Sequence, residues 1–243
     1  MVGTARARMN SKYEQIPPRG LLPAAVTAAN ICLGFASMLE TTAGRYDRAV
    51  HLLVLAILLD TLDGRVARWL RATSVFGKQL DSFCDVLSFG AAPAFLVYHA
   101  ELRSLGAAGL AVALIYLLAG VFRLARFNLL SDPHAKARRT LGFPIPIGAG
   151  YLMALTLMRD HVPGIAGATM VLAVSTLMIS RLRLPELRGT NIVTGALFVG
   201  ILNYLAVVAW PNWYTVIWWN IWNLVILVLA RREDRRVAYE SGS

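Results

Sequence analysis

The chain has 243 residues, 57% hydrophobic and 16% charged, with a mean hydropathy of +0.56. A soluble domain is about a quarter charged, so the composition excludes an ordinary soluble fold and predicts one integral membrane domain. The net charge of +10 admits a nucleic-acid partner by charge alone. Apolar segments leave no soluble fold to carry one, so none is expected, and anionic lipid headgroups are the natural counterpart.

Residues 1–20 are basic and polar, too long for a signal-peptide n-region. They are predicted to be an N-terminal tail with an interfacial segment, leading into a retained first span. Eight segments then reach the roughly 30 Å needed to cross a bilayer as helices: 21–43, 47–70, 79–100, 106–130, 143–159, 163–180, 190–209 and 212–230. The fifth opens with "FPIPIGAG", whose prolines and glycines weaken the helical pattern. Residues 21–230 form the predicted membrane domain and 231–243 a C-terminal tail. No internal repeat or coiled coil is visible. Cys32 and Cys84 suggest no disulfide framework and read as small core residues. His51, His99, His134 and His161 form no recognisable array.

Positive charge fixes the expected orientation. The basic residues fall in the N-terminal tail, 65–78, 123–139, 181–188 and the C-terminal tail, with only Arg45, Arg48, Arg103 and Arg159 elsewhere. With 20 of 24 Lys/Arg on one side, the positive-inside rule places that side, and both termini, in the cytoplasm. The expected location is the cytoplasmic (inner) membrane.

The stretch "DTLDGRVARWLRATSVFGKQLDSFCD" (60–85) holds four of the fourteen acidic residues between apolar segments. An ionised carboxylate at membrane depth costs several kcal/mol unless something pairs with it. Asp60, Asp63, Gly64, Ala67, Arg68 and Arg71 recur at helical spacing on one face. Gly77, Asp81, Asp85 and Ser88 form a second face, with "ATSVFG" as a turn between. The two helices are predicted to be antiparallel neighbours with the four carboxylates converging. Such crowding in a low dielectric calls for cations, and an all-oxygen donor set favours Mg²⁺ or Mn²⁺ over zinc. Gly64 and Ala67 leave room for a ligand against the backbone, and Arg68 supplies a fork for phosphate oxygens. A plainer reading pairs the acids with Arg65, Arg68, Arg71 and Lys78. A reading of another class makes the acids the cation site of a transporter, although transporters usually show repeats and broken helices at mid-membrane.

The pattern D-x₂-D-G-x₂-A-R-x₈-G-x₃-D-x₃-D resembles the signature of the CDP-alcohol phosphotransferase family at Asp60, Asp63, Gly64, Ala67, Arg68, Gly77, Asp81 and Asp85. The resemblance implies an all-α polytopic membrane bundle with a six-helix core, here followed by two further C-terminal spans. It implies two divalent ions held by Asp60, Asp63, Asp81 and Asp85, with Asp85 also taking the proton from the attacking alcohol. Gly64, Ala67, Arg68 and Gly77 border the CDP-linked lipid in this reading, and a homodimer is implied as well.

"LDSFCDVLSFGAAPA" (80–94), "RLARFN" (123–128), "GFPIPIGAG" (142–150) and the order Pro23, Thr27, Asn30, Gly34 look like the phosphatidylserine synthase branch of that family. By this likeness Thr27 and Asn30 join the CDP-lipid contacts. Ala24 departs from the Asn often found there, which removes any nucleotide contact from that position. The implied reaction moves a phosphatidyl group from CDP-diacylglycerol to L-serine and releases CMP. Serine's carboxylate needs a cation, which Arg123 and Arg126, at i and i+3, could supply; Ser88 is assigned to the acceptor with them. The alternative for both arginines is snorkelling to headgroups. Glycerol phosphate, inositol phosphate and choline stand as alternative acceptors. Choline would want an aromatic cage, whereas Trp210, Trp213, Trp218, Trp219 and Trp222 come late in the chain and read as interfacial anchors.

Overall fold

The structure, a computed structural model, describes residues 21–69, 75–130, 140–184 and 191–240. The predicted tail at 1–20, the last three residues, Arg71, His134, Lys136, Arg138, Arg139 and Arg188 lie outside the described residues. Eight helices occur in chain order among those described: α1 (Leu21–Thr42), α2 (Tyr46–Trp69), α3, α4 (Ala107–Leu130), α5 (Ile145–Leu157), α6 (Gly164–Ile179), α7 (Asn191–Ala209) and α8 (Trp213–Glu240). α3 is composite: Val75–Asp85 is α-helical, Val86–Ala91 is π-helical, and Ala92–Ala100 is α-helical again.

Each helix falls on one of the eight apolar segments, and two differences have physical causes. α8 runs past the expected end at 230 because "ARREDRRVAYE" is rich in helix-forming Ala, Arg and Glu. The prolines of "FPIPIGAG" do not weaken α5 but begin it. Pro144 is the N-cap, with φ −63° and ψ 137°, and Pro146 lies in the first turn, where a missing N–H removes no intrahelical bond.

Among the described residues three helical stretches are long and apolar enough to cross a membrane: Ala24–Thr42, Phe76–Ala100 and Ala107–Leu129. Asp47, Arg48, Asp60 and Asp63 burden α2 with charge, while α5 and α6 have 13 and 16 residues. Phe35, Leu118, Phe122 and Ile165 point outward, as lipid-facing side chains do. Lipid tails are as apolar as leucine, so cohesion between such helices comes from close packing and interhelical hydrogen bonds. α1 lies along α2, where the Ser37 hydroxyl donates to Ala49 O at 3.1 Å. α5 occupies the centre, with Ile145, Ala149, Leu152 and Met153 fully buried among α2, α3, α6 and α7. α7 and α8 pair with each other. They dock on α5 through Trp219, which stacks on Tyr151 and Tyr204, and through the Tyr151 hydroxyl, 2.7 Å from Asn220 Oδ1.

A small clasp closes the segment before α5. β1 (Thr140–Leu141) pairs antiparallel with β2 (Arg183–Leu184), Thr140 opposite Leu184. Gly142 N–H then donates to Leu182 O at 2.9 Å, and Phe143 N–H donates to Leu177 O at 3.1 Å. Gly142 has φ +77°, and a Cβ there would stand 2.2 Å from Met178 O, so only glycine fits.

Candidate active site

The acids lie on the last turns of α2 and the first part of α3. Asp60, Asp81 and Asp85 are half-buried. Asp63, Gly64, Ala67 and Arg68 follow Asp60 on the same helix; their side chains, and that of Arg65, lie outside the described ones. Gly77 and Lys78 sit in the first turn of α3. Among the described residues α2 packs on α3 chiefly from the π-helical stretch onward, while α1 packs along both α2 and Val75–Asp85. α1 thus lies against both acid-bearing helices.

The donor set is carboxylate oxygen alone, which suits a hard divalent ion. No three Asp, Glu, His or Cys side chains among the described residues converge closely enough to hold a metal by themselves.

α1 and α3 meet in a tight seam below the acids. The Ser88 hydroxyl, fully buried, donates to Asn30 O at 3.2 Å, and the buried Cys84 thiol donates to Thr27 O at 3.7 Å. A Cβ on Gly34 would lie 2.6 Å from Ser88 Oγ, which explains the glycine in that position. Ser88 thus sits in the helix seam with its hydroxyl engaged. Thr27 is buried beside it, and Asn30, also fully buried, has neither Oδ1 nor Nδ2 in a hydrogen bond. An unpaired buried amide costs about 1–3 kcal/mol, so Asn30 is a natural contact for a polar ligand. Cys32, expected in the core, is instead exposed on α1. Its face of the helix turns away from α2 and α3, and a small apolar thiol is at home there.

The two arginines of "RLARFN" go different ways. Arg123 is only 8% exposed, within electrostatic reach of Asp85, and its guanidinium lies 5.6 Å from the centre of the Phe127 ring. Its Nε–H is buried without a hydrogen-bond partner. Burial inside the protein rules out snorkelling for this side chain. Arg126 donates to Ile179 O at 2.9 Å, Ser180 O at 3.0 Å and Met178 O at 3.4 Å. These are carbonyls that the C-terminus of α6 leaves over, and a cation is favoured there. Two further residues of the motif escaped the sequence reading. Phe127, at i+4 from Arg123, had a spacing signal. Asn128, whose Nδ2 donates to Ser82 Oγ at 3.0 Å and so ties α4 to the acidic part of α3, had none.

Comparison with known proteins identifies the family. Residues 20–180 match the family profile described as CDP-alcohol phosphatidyltransferase. The chain is 33% identical over 202 residues to the CDP-diacylglycerol–serine O-phosphatidyltransferase of Helicobacter pylori, covering 79% of this chain and 83% of that protein. It is 35% identical over 177 residues to the archaetidylserine synthase of Methanothermobacter thermautotrophicus, covering 71% and 73%. It is 31% identical over 167 residues to the CDP-diacylglycerol–serine O-phosphatidyltransferase of Bacillus subtilis, covering 69% and 91%.

Proposed function

The chain belongs to the CDP-alcohol phosphatidyltransferase family, and from that premise we infer that it makes phosphatidylserine. It is a transferase that moves the phosphatidyl group of CDP-diacylglycerol to the hydroxyl of L-serine and releases CMP. Relatives named for phosphatidyl and archaetidyl products share serine as the acceptor.

The residues take the following roles in our reading. Asp60, Asp63, Asp81 and Asp85 hold Mg²⁺ or Mn²⁺, two ions by family likeness. What the bound metal supplies is positive charge against the pyrophosphate oxygens. Gly64, Ala67, Arg68 and Gly77 border the CDP moiety, joined by Thr27 and Asn30 from α1. Asp85 accepts the serine hydroxyl proton as the oxygen forms its bond to the lipid phosphorus and the bond to CMP breaks. Arg123 pairs with the serine carboxylate. We assign Ser88 to the α1–α3 seam and Arg126 to the end of α6, because their polar atoms are already engaged there.

We place the acidic end and both termini at the cytoplasmic face of the inner membrane, where CMP and serine exchange with the cytosol. The eight helices read as a six-helix core followed by α7 and α8, and the protein as a homodimer. The observation that carries the acceptor assignment is Arg123, buried beside Asp85 with an unpaired Nε–H.

The test is CMP release by purified protein supplied with CDP-diacylglycerol and single alcohols. L-serine should drive it far better than glycerol 3-phosphate, inositol phosphate or choline. Arg123→Lys keeps the charge but loses the fork. It should raise KM for serine roughly ten- to a hundredfold, for about 1–3 kcal/mol, while KM for CDP-diacylglycerol holds. Best turnover with a phosphorylated alcohol would overturn the serine assignment.

A further inference from the structure

The π-helical stretch Val86–Ala91 begins at the residue after Asp85. Its widened turn is marked by the Ala92 N–H, which donates to Leu87 O, five residues back. π-Turns are rare, carry one extra residue, and concentrate at functional sites. Three neighbours grip this one. From α1, Asn30 O accepts from Ser88 Oγ at 3.2 Å, with Gly34 giving the room. From α4, the hydroxyl of Tyr116, 0% exposed, donates to Phe89 O at 2.9 Å. Gly90 lies against Leu117 and Ile145, where a Cβ would stand 3.3 Å from Leu117 Cδ1.

The geometry has a direct consequence for the acids. Beyond the stretch, Ala92, Pro93, Leu96 and Val97 are buried and fix the rest of α3 in the core. One extra residue rotates everything before it by about 100° relative to a continuous α-helix. From it onward α3 packs against α2. The π-turn therefore sets the direction in which Asp81 and Asp85 leave the core.

We propose that Tyr116 is a positioning residue for the transfer reaction: its hydrogen bond to Phe89 O holds the π-turn that orients Asp81 and Asp85. This rests on the proposed function, since the acids matter only if they hold metal and accept the proton.

The experiment compares wild type, Tyr116→Phe, and protein with 4-aminophenylalanine at 116, which restores a donor on the same ring. Mn²⁺ binding is read by electron paramagnetic resonance without substrates, and kcat and KM by CMP release. Tyr116→Phe should lower kcat about ten- to a hundredfold, the scale of a small misplacement of reacting groups. It should weaken Mn²⁺ binding while leaving both KM values unchanged, and the amino analogue should recover both losses. Ser88→Ala, which loosens the other grip, should show the same signature in smaller degree; a rise in serine KM alone would instead return Ser88 to the acceptor. Wild-type kcat and Mn²⁺ binding in Tyr116→Phe would overturn the proposal whatever its thermal stability. If Tyr116→Phe does not fold, Ser88→Ala decides in the same way. Wild type that neither binds Mn²⁺ nor releases CMP with serine would sink the proposed function first, and this proposal with it.

Discussion

At the end of the bundle where α1 turns into α2, Glu40 pairs with Arg45 and Asp47 with Arg159, at 3.1 Å in the latter case. Arg159 also donates to Thr156 O and lies over the Tyr46 ring, 5.6 Å from its centre. At the opposite end Asp60, Asp81 and Asp85 are half-buried on α2 and α3. The first arrangement is ordinary surface chemistry: an exposed Asp47 and a half-buried Glu40, each beside an arginine, each pair contributing little to stability. The second keeps three half-buried carboxylates at one end of the bundle, where partial burial penalises charge. In our reading that acidic end is the working end.

The largest expected effect tests that contrast. Asp81→Asn or Asp60→Asn should lower CMP release on the order of a hundred- to a thousandfold while the protein still inserts and purifies. Chelation should reproduce the loss and added Mg²⁺ or Mn²⁺ should reverse it. Asp47→Asn, at the other end, should leave turnover unchanged. Equal losses at both ends would erase the distinction.

Next in size is Gly142→Ala, in the clasp at the working end. The positive φ and the 2.2 Å approach to Met178 O predict about 2–3 kcal/mol of destabilisation, a fall in Tm of roughly 4–12 °C. A thermal melt in detergent that superimposes on wild type would show that the clasp carries no strain barrier.

The smallest effect sharpens the comparison at the quiet end, where Glu101 is the exception. It is buried, and burial first, then the nearby Asp160, raise its pKa above 4.5, with Arg159 partly offsetting them. The folded state then holds the proton more tightly than the unfolded chain. The stability this contributes is fully present below pH 4.5 and is lost as pH rises through the elevated value. Melts should therefore show Tm declining upward from about pH 4.5, and Glu101→Gln should flatten that part of the profile. Superimposable profiles would remove Glu101 from the account.

Much of this was legible in the sequence because helical periodicity is local. Asp60 and Asp63, or Asp81 and Asp85, declare a shared face within a few residues, and the eight apolar segments declare eight helices. What could not be read depends on contacts between distant positions. The carbonyls that hold Arg126 lie 52–54 residues downstream, so its spacing from Arg123 suggested a common role that the fold divides. Nothing in "VLSFGA" distinguishes a π-turn from an α-turn; its grips come from Asn30 and Tyr116 on other helices. The prolines of α5 were misweighed because the same residue breaks a helix interior and begins a helix, and only the actual start decides.

α5 has 13 residues, which span about 20 Å as a helix, against roughly 30 Å of hydrocarbon. Its neighbours bury nearly all of it, so it meets no lipid along most of its length. α6 has 16 residues, with Ile165, Leu172, Leu177 and Ile179 exposed; set across a bilayer it would reach only about 24 Å. A bilayer beside α6 must thin by about 6 Å or its flanking residues must bend toward the interfaces, at a fraction of a kcal/mol per Å of mismatch. A short α6 set across the bilayer would make the protein sensitive to acyl-chain length in its own surroundings, with thinner membranes the better host.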